Sequence, residues 1–106
     1  MVIVTLTRKH TDSIIAVAVN GHADYAPHGE DIVCAAVSVL TQTALLGLLR
    51  YATHPVRYKV KSGLLSLQLE KEPTDITDTI LETMALGLEE IARNYPDRVQ
   101  IKEHRR

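Results

Sequence analysis

A long apolar run without proline, from Ile32 to Ala52, constrains the fold of this chain more than any other stretch. Asp31, a favoured N-cap residue, precedes the run. Pro55 follows it and disfavours helical geometry in the residue before it. We therefore predict a helix that is capped by Asp31 and ends near Tyr51 to His54.

This apolar run is long enough to be mistaken for a transmembrane span. Polar residues lie in its middle, however, and predicted strands rather than basic loops flank it. These polar residues are Ser38, Thr41, Gln42 and Thr43. The segment MVIVTLTRKH also contains too short an apolar run for a signal peptide. We favour a buried central helix, with one face as a candidate subunit interface, and expect no membrane partner.

Stretches with a period of two surround the predicted helix. Alternating side chains predict an antiparallel hairpin over Val2–Thr7 and Ser13–Val19, and a second one over 56–61 and 65–69. Pro73 and Thr74 start a second helix, which is followed by a short strand that carries Val99 and Ile101. We expect the tail EHRR to fray. The apolar face of the second helix is predicted to comprise Ile76, Ile80, Met84, Leu88, Ile91 and Tyr95.

The predicted element order is strand, strand, helix, strand, strand, helix, strand (ββαββαβ). Because hairpins dominate, we expect an α+β fold, a two-layer sandwich in which two helices pack on a mostly antiparallel sheet of about five strands. A chain of 106 residues suits one domain, spanning 1–106, that buries a core without metal or disulfide.

Charge and cysteine content narrow the function classes. Twelve Lys and Arg against thirteen Asp and Glu provide no strongly basic field, so we expect no direct nucleic-acid partner. A basic row on one predicted strand, Arg57, Lys59 and Lys61, is interpreted as a solvated face. A single cysteine cannot form an internal disulfide, which fits a reducing compartment and predicts a cytoplasmic location.

The candidate reactive residues are Cys34 and His22, which directly follows Gly21. If Asp31 caps the helix, Cys34 is the third helical residue, and the free amides and dipole of the first turn favour its thiolate. His22 could then act as the base that a thiol nucleophile needs. Asp31 could orient His22, although a carboxylate near the sulfur would oppose the thiolate. The alternative for Cys34 is a small buried hydrophobic residue.

Other polar residues near this pair have two readings each. Ser38 lies one helical turn after Cys34 and is either a hydrogen-bond donor in the site or a small packing residue. His28 could join His22, Asp31 and Cys34 as a metal ligand set. Because the paired ligands of structural zinc sites are missing, we favour neither a metal nor another cofactor.

The stretch GHADYAPHGEDIVCAAVS, together with TQTALLGL and LETMALGLEEIARNYPDRVQI, resembles the ribosomal-processing cysteine protease family known as Prp. The resemblance covers nearly the whole chain. It implies a catalytic dyad with Cys34 as nucleophile and His22 as general base, and it carries over Gly21, Asp31 and Ser38 as motif positions around the site. Leu46 departs from the family pattern, in which a polar residue often follows the TQTAL segment.

The resemblance also implies a small cytoplasmic homodimer that acts as a thiol protease in ribosome biogenesis. Its implied substrate is the precursor of the twenty-seventh protein of the large ribosomal subunit, from which the enzyme removes an N-terminal extension. The alternative is a non-catalytic ribosome-associated binding protein with an unreactive cysteine.

For the protease, we expect oxyanion donors from the helix-start amides near Val33 and Cys34. We also expect the loop from Asp24 to Glu30 to close over an extended peptide. Aliphatic walls would suit apolar or aromatic side chains beside the scissile bond.

Overall fold

In the part of the chain that the structure describes, five strands and two helices follow one another in the predicted order ββαββαβ. The computed structural model describes residues 1–21 and 28–106, and for residues 28–31 it describes the backbone. The elements are β1 (Val2–Arg8), β2 (Ile14–Asn20), α1 (His28–Tyr51), β3 (Val56–Lys61), β4 (Leu64–Leu69), α2 (Asp75–Asn94) and β5 (Val99–Arg105).

The strands form one open sheet in the order β3-β4-β2-β1-β5. Both hairpins, β1–β2 and β3–β4, are antiparallel, and β4 also pairs antiparallel with β2. The exception is β5, which runs parallel to β1, with Val2 opposite Val99. The predicted α+β fold with a mostly antiparallel five-stranded sheet is therefore confirmed.

The core lies between one face of the sheet and the two helices. Alternate strand residues such as Val4, Leu6 and Leu67 are buried there, because successive side chains of a strand point to opposite faces. The chain has neither Phe nor Trp, so the core is aliphatic. Each fully buried side chain of this kind contributes about 1.5–3 kcal/mol relative to exposure.

Helix α1 buries one face and exposes the other. Val33, Val37 and Leu48 are buried in the core, whereas the outer face carries exposed apolar side chains: Ile32, Val39, Leu46 and Leu49. By length and composition alone, Ile32–Tyr51 could cross a membrane, a test that core helices also pass. The interpretation as a central helix is thus correct for its inner face.

The start of α1 differs from the prediction. The helix begins at His28, so Asp31 is its fourth residue and not its N-cap. His28 to Glu30, which we assigned to the preceding loop, belong to the helix. The apolar run starts only at Ile32, so the sequence pattern contained no signal for this additional polar turn.

Helix α2 has Thr74 as its N-cap, close to the predicted start, and buries a face that is rotated from the expected one but shares Met84 and Leu88 with it. Its buried residues are Thr77, Leu81, Met84, Ala85 and Leu88. Ile76 and Tyr95 are exposed, so their assignment to the core was wrong. The capping box accounts for the buried threonine: Thr74 and Thr77 exchange backbone-to-hydroxyl hydrogen bonds of 2.9 and 3.2 Å.

The last strand is longer than predicted. We expected the tail EHRR to fray, but β5 continues to Arg105. Its whole length pairs with β1, and the backbone N–H of Arg106 donates to the carbonyl of Arg8 at 2.9 Å. Pairing with a central strand explains the order of a segment whose composition is typical of a solvated terminus.

Arg8 ties α2 and β5 to the end of β1. Its side chain is only 11% exposed and donates to Glu82 Oε2 at 2.8 Å and to Glu103 Oε1 at 3.1 Å. Two further hydrogen bonds reach Glu82 Oε1 at 3.2 Å and the carbonyl of Asp12 in the β1–β2 turn at 2.8 Å. The hydrogen bond to Glu82 raises the pKa of the Arg8 guanidinium, and this effect outweighs burial, which lowers it.

We expect Arg8→Met to lower the free energy of unfolding by about 2 kcal/mol, because it removes charge-assisted hydrogen bonds from a nearly buried position. Arg57→Met is the matched control. Its pair with Glu70 is exposed and should contribute less than about 1 kcal/mol. Urea unfolding of both variants measures the difference, and equal losses would contradict a stabilising role for the Arg8 contacts.

Candidate active site

A pocket of about 70 Å³ opens where the first half of α1 meets the ends of β2 and β3. Its wall on α1 is formed by Cys34, Val37, Ser38, Thr41 and Gln42. The facing wall comes from the sheet and its turns, with Val2, Val19, Gly21, Lys61, Gly63, Leu64 and Leu65. The pocket therefore combines a thiol with polar side chains and an aliphatic floor.

Cys34 is a free, half-buried thiol that packs against the core and lines this pocket. Neither reading from the sequence describes it fully, because it contacts the core but is not enclosed by it. Its predicted place in the first helical turn was wrong: with α1 starting at His28, Cys34 is the seventh helical residue. The free amides of the helix start lie one turn further from the sulfur than we expected.

The same shift of the helix start removes the expected oxyanion donors. In an α-helix each N–H donates to the carbonyl four residues earlier, so the amides of Val33 and Cys34 are used within α1. Their assignment as oxyanion donors was wrong. The side chains of Ser38 and Gln42 are neutral hydrogen-bond donors that line the pocket instead.

Ser38 and Gln42 follow Cys34 at successive intervals of four residues and therefore lie along one side of α1. Ser38 is exposed and borders the pocket, which favours its reading as a site residue. Gln42 was not singled out from the sequence, although the same spacing could have identified it. Between them, Thr41 is buried and its hydroxyl donates to the carbonyl of Val37 at 2.9 Å.

Gly21 forms the pocket wall at the end of β2. Its φ of 98° lies in the region that only glycine adopts readily. A Cβ at this position would lie 2.1 Å from the carbonyl oxygen of Met1. Only glycine therefore fits between β2 and the start of β1, where it directs the chain past the pocket.

Three candidate residues, His22, His28 and Asp31, have side chains outside the described part of the structure. For His22 and the loop residues 24–27, the backbone lies outside it too. The predicted contact between His22 and Cys34, the role of Asp31 and the four-residue metal set thus stay predictions. Among the described side chains no cluster of His, Cys, Asp and Glu could hold a metal ion.

Lys61 is a pocket residue that the functional reading of the sequence missed. The basic row was interpreted as a solvated face, yet its last member lines the pocket together with Cys34. No local pattern connects the two residues, because tertiary packing alone brings the end of β3 beside α1.

Comparison with known proteins gives a consistent result. The family model for cysteine protease Prp matches residues 1–100. The ribosomal processing cysteine protease Prp of Bacillus subtilis is 27% identical, with 95% of this chain and 96% of that protein covered. The protein of the same name from Mycoplasma pneumoniae is 32% identical, with 92% and 96% covered.

Solved structures share the fold. SMU.848 from Streptococcus mutans has a TM-score of 0.87 at 27% identity, covering 100% of this chain and 96% of that chain. The protease Prp from S. aureus in complex with a substrate peptide has a TM-score of 0.89 at 22% identity, covering 97% and 99%.

A free thiol at the edge of an open pocket, together with these relatives, defines the class: the protein is a cysteine protease. More specifically, the chain belongs to the cysteine protease Prp family.

We expect Gly21→Ala to destabilise the protein by more than about 2 kcal/mol, because it combines a positive φ with a backbone clash. Gly47→Ala is the matched control. Its added Cβ would meet Ile80 at 3.6 Å, an ordinary contact, and should stabilise α1 by about 0.5–1 kcal/mol. Urea unfolding of both variants gives the comparison, and a Gly21→Ala protein as stable as the parent would refute the close approach to Met1.

Proposed function

We propose that this protease removes the N-terminal extension of the twenty-seventh protein of the large ribosomal subunit in the cytoplasm, and so supports ribosome assembly. The relatives are ribosomal processing proteases by name. The observation that carries the proposal is the shared pocket: Cys34 lines it, and so does Gly21, the residue directly before His22 in the chain.

In this mechanism His22 takes the proton of the Cys34 thiol, and the sulfur attacks the scissile carbonyl carbon. The tetrahedral intermediate collapses when protonated His22 donates to the leaving amine, which departs and leaves a thioester on Cys34. His22 then takes a proton from water, which attacks the thioester and releases the second product. Every step moves only protons and electron pairs between His22, Cys34, water and the peptide, with no change of oxidation state. The reaction therefore requires no cofactor.

Ser38 is the candidate for the oxyanion role that the backbone amides of α1 cannot fill. It borders the pocket one helical turn after Cys34, where its hydroxyl can donate to a developing negative charge. Removing one such donor typically lowers kcat by about 10²–10³-fold.

The aliphatic part of the pocket wall, formed by Val19, Val37 and Leu65, favours an apolar substrate side chain beside the scissile bond. Recognition of the precursor then rests on peptide contacts, without direct binding of nucleic acid or a membrane surface.

We expect the parent protein to cleave a precursor that carries the extension, and Cys34→Ala to abolish cleavage, since it removes the nucleophile. His22→Ala should lower kcat/KM by at least about 10²-fold, the usual contribution of a general base. Mass spectrometry of the products identifies the cut. Equal cleavage by the parent and Cys34→Ala would exclude Cys34 as the nucleophile.

Alkylation of Cys34 tests the dyad without any substrate. If His22 takes the thiol proton, the pH at which the alkylation rate reaches half its maximum should differ between the parent and His22→Ala. Identical pH profiles would instead favour an unreactive cysteine and the non-catalytic binding protein.

The outer face of α1 is the surface that we propose for a homodimer. Ile32, Val39 and Leu46 are each more than 60% exposed, and their spacing of seven residues places them along one side of α1 as an apolar stripe. Leu46, where the family often has a polar residue, enlarges this stripe. Burial of this stripe against a second copy would stabilise the dimer by about 25 cal/mol for each Å² of apolar surface removed from water.

We expect Leu46→Glu to shift the protein from dimer to monomer in sedimentation equilibrium, because a carboxylate would be buried in the apolar contact. Leu86→Glu is the control, since Leu86 is equally exposed but belongs to α2. A monomeric parent, or dissociation by both variants alike, would contradict this assignment.

A further inference from the structure

The outer edge of β3 is open and unusually exposed. β3 is the first strand of the sheet order, and five of its six residues are exposed. Tyr58 and Val60 remain 51% and 44% exposed although their side chains are apolar. An edge strand of this kind presents unpaired backbone groups to any extended chain that reaches it.

The register identifies which backbone groups are free. Ser62 and Gly63 connect Lys61 to Leu64 in a two-residue hairpin, in which the flanking residues form a hydrogen-bonded pair. Since hydrogen-bonded pairs alternate along an antiparallel ladder, Lys59 with Ser66 and Arg57 with Gln68 are the next hydrogen-bonded pairs. The N–H of Glu70 donates to the carbonyl of Pro55 at 3.4 Å and continues the series. The N–H and C=O groups of Val56, Tyr58 and Val60 therefore point away from the sheet.

The side chains of Tyr58 and Val60 lie on the face of the sheet that carries the active-site pocket. Tyr58 pairs with Leu67 and Val60 with Leu65, and both leucines are buried beneath the helices. The exposed side chains of β3 thus extend the apolar floor of the sheet beyond α1. The strand itself runs into the pocket, because its last residue, Lys61, lines the cavity that contains Cys34.

We propose that the substrate peptide binds as an added sixth strand along the edge of β3, and that this pairing leads its scissile bond to Cys34. The inference rests on the proposed proteolysis and assigns the surface that holds the peptide. The polypeptide segment next to the cut is extended, because only an extended chain can use every second N–H and C=O of the edge.

The side chains on the two faces of β3 determine which residue types the paired peptide segment can carry. Side chains that point towards Tyr58 and Val60 are apolar, since they complete a hydrophobic surface. Those on the opposite face lie beside Arg57 and Lys59 and are therefore neutral or acidic, because like charges side by side are destabilising. The same charges oppose pairing of β3 with β3 of a second copy, which would bring the basic rows together.

A scan of N-methylated peptides tests the added strand on the unaltered edge. The probe is a fluorescent synthetic peptide that spans the junction between the extension and the body of the ribosomal protein. Its binding to Cys34→Ala, which cannot cleave it, is measured by anisotropy. On one side of the scissile bond, methylation of every second amide should weaken binding at least tenfold, whereas methylation of the amides between should change it less than threefold.

The outcomes separate this proposal from the proposed function. Cleavage of the unmodified peptide by the parent, combined with a scan that shows no period of two, overturns the added strand and leaves the proteolysis standing. Absence of both cleavage and binding overturns the two together. A period of two confined to one side of the cut supports the edge of β3 as the binding surface.

Two variants at one position test whether peptide binding depends on the backbone N–H of β3. Val60→Pro removes an N–H that faces outward, which an edge strand tolerates, and Val60→Ala keeps that N–H while shortening the side chain. We expect at least a tenfold rise in KM for Val60→Pro and less than a threefold rise for Val60→Ala, with the Cys34 alkylation rate unchanged in both.

Equal effects of the two variants on KM would overturn the pairing. A Val60→Pro protein that loses its dimer in sedimentation while binding the peptide normally would do so too, because the edge would then hold a second copy. Far-ultraviolet circular dichroism confirms that both variants keep the sheet.

Discussion

Burial of one face of α1 against the aliphatic face of the sheet is the interaction on which the site depends. Val33, Val37 and Leu48 fix the rotation of the helix, since each is at most 2% exposed. That rotation leaves Cys34 at the margin of the core, half-buried and beside the pocket. The thiol is thus positioned by the packing around it, and Ser38 and Gln42 border the same pocket from the same side of α1.

Much of this arrangement could be predicted from local pattern. The alternation in Val2–Thr7 identified a strand because one face of that strand lies on the core, which imposes a period of two on the sequence. The motif around Cys34 also identified the pocket residues Gly21 and Ser38. Predictions of this kind succeed because the information lies within a few residues of the position concerned.

Other features were set by distant parts of the chain. Ile76 and Tyr95 fit a helical stripe as well as Leu81 does, and only docking on the sheet decides which side of α2 is buried. Lys61 reaches the pocket through the hairpin that places β3 beside α1. The start of α1 was missed for a different reason. Its first turn is polar, so it lacks the hydrophobic periodicity from which a helix is predicted.

The parallel pairing of β1 with β5 has a consequence for synthesis of the protein. Val2 and Val99 are 97 positions apart (99 − 2), and they lie side by side in the sheet. During synthesis, the edge of β1 that will pair with β5 therefore stays unpaired until β5 has been made. Val2 lines the pocket, so that wall of the site gains its neighbouring strand only once β5 has been synthesised and has paired with β1. Contacts between residues so far apart in sequence also slow folding, because a long loop must close before they can form.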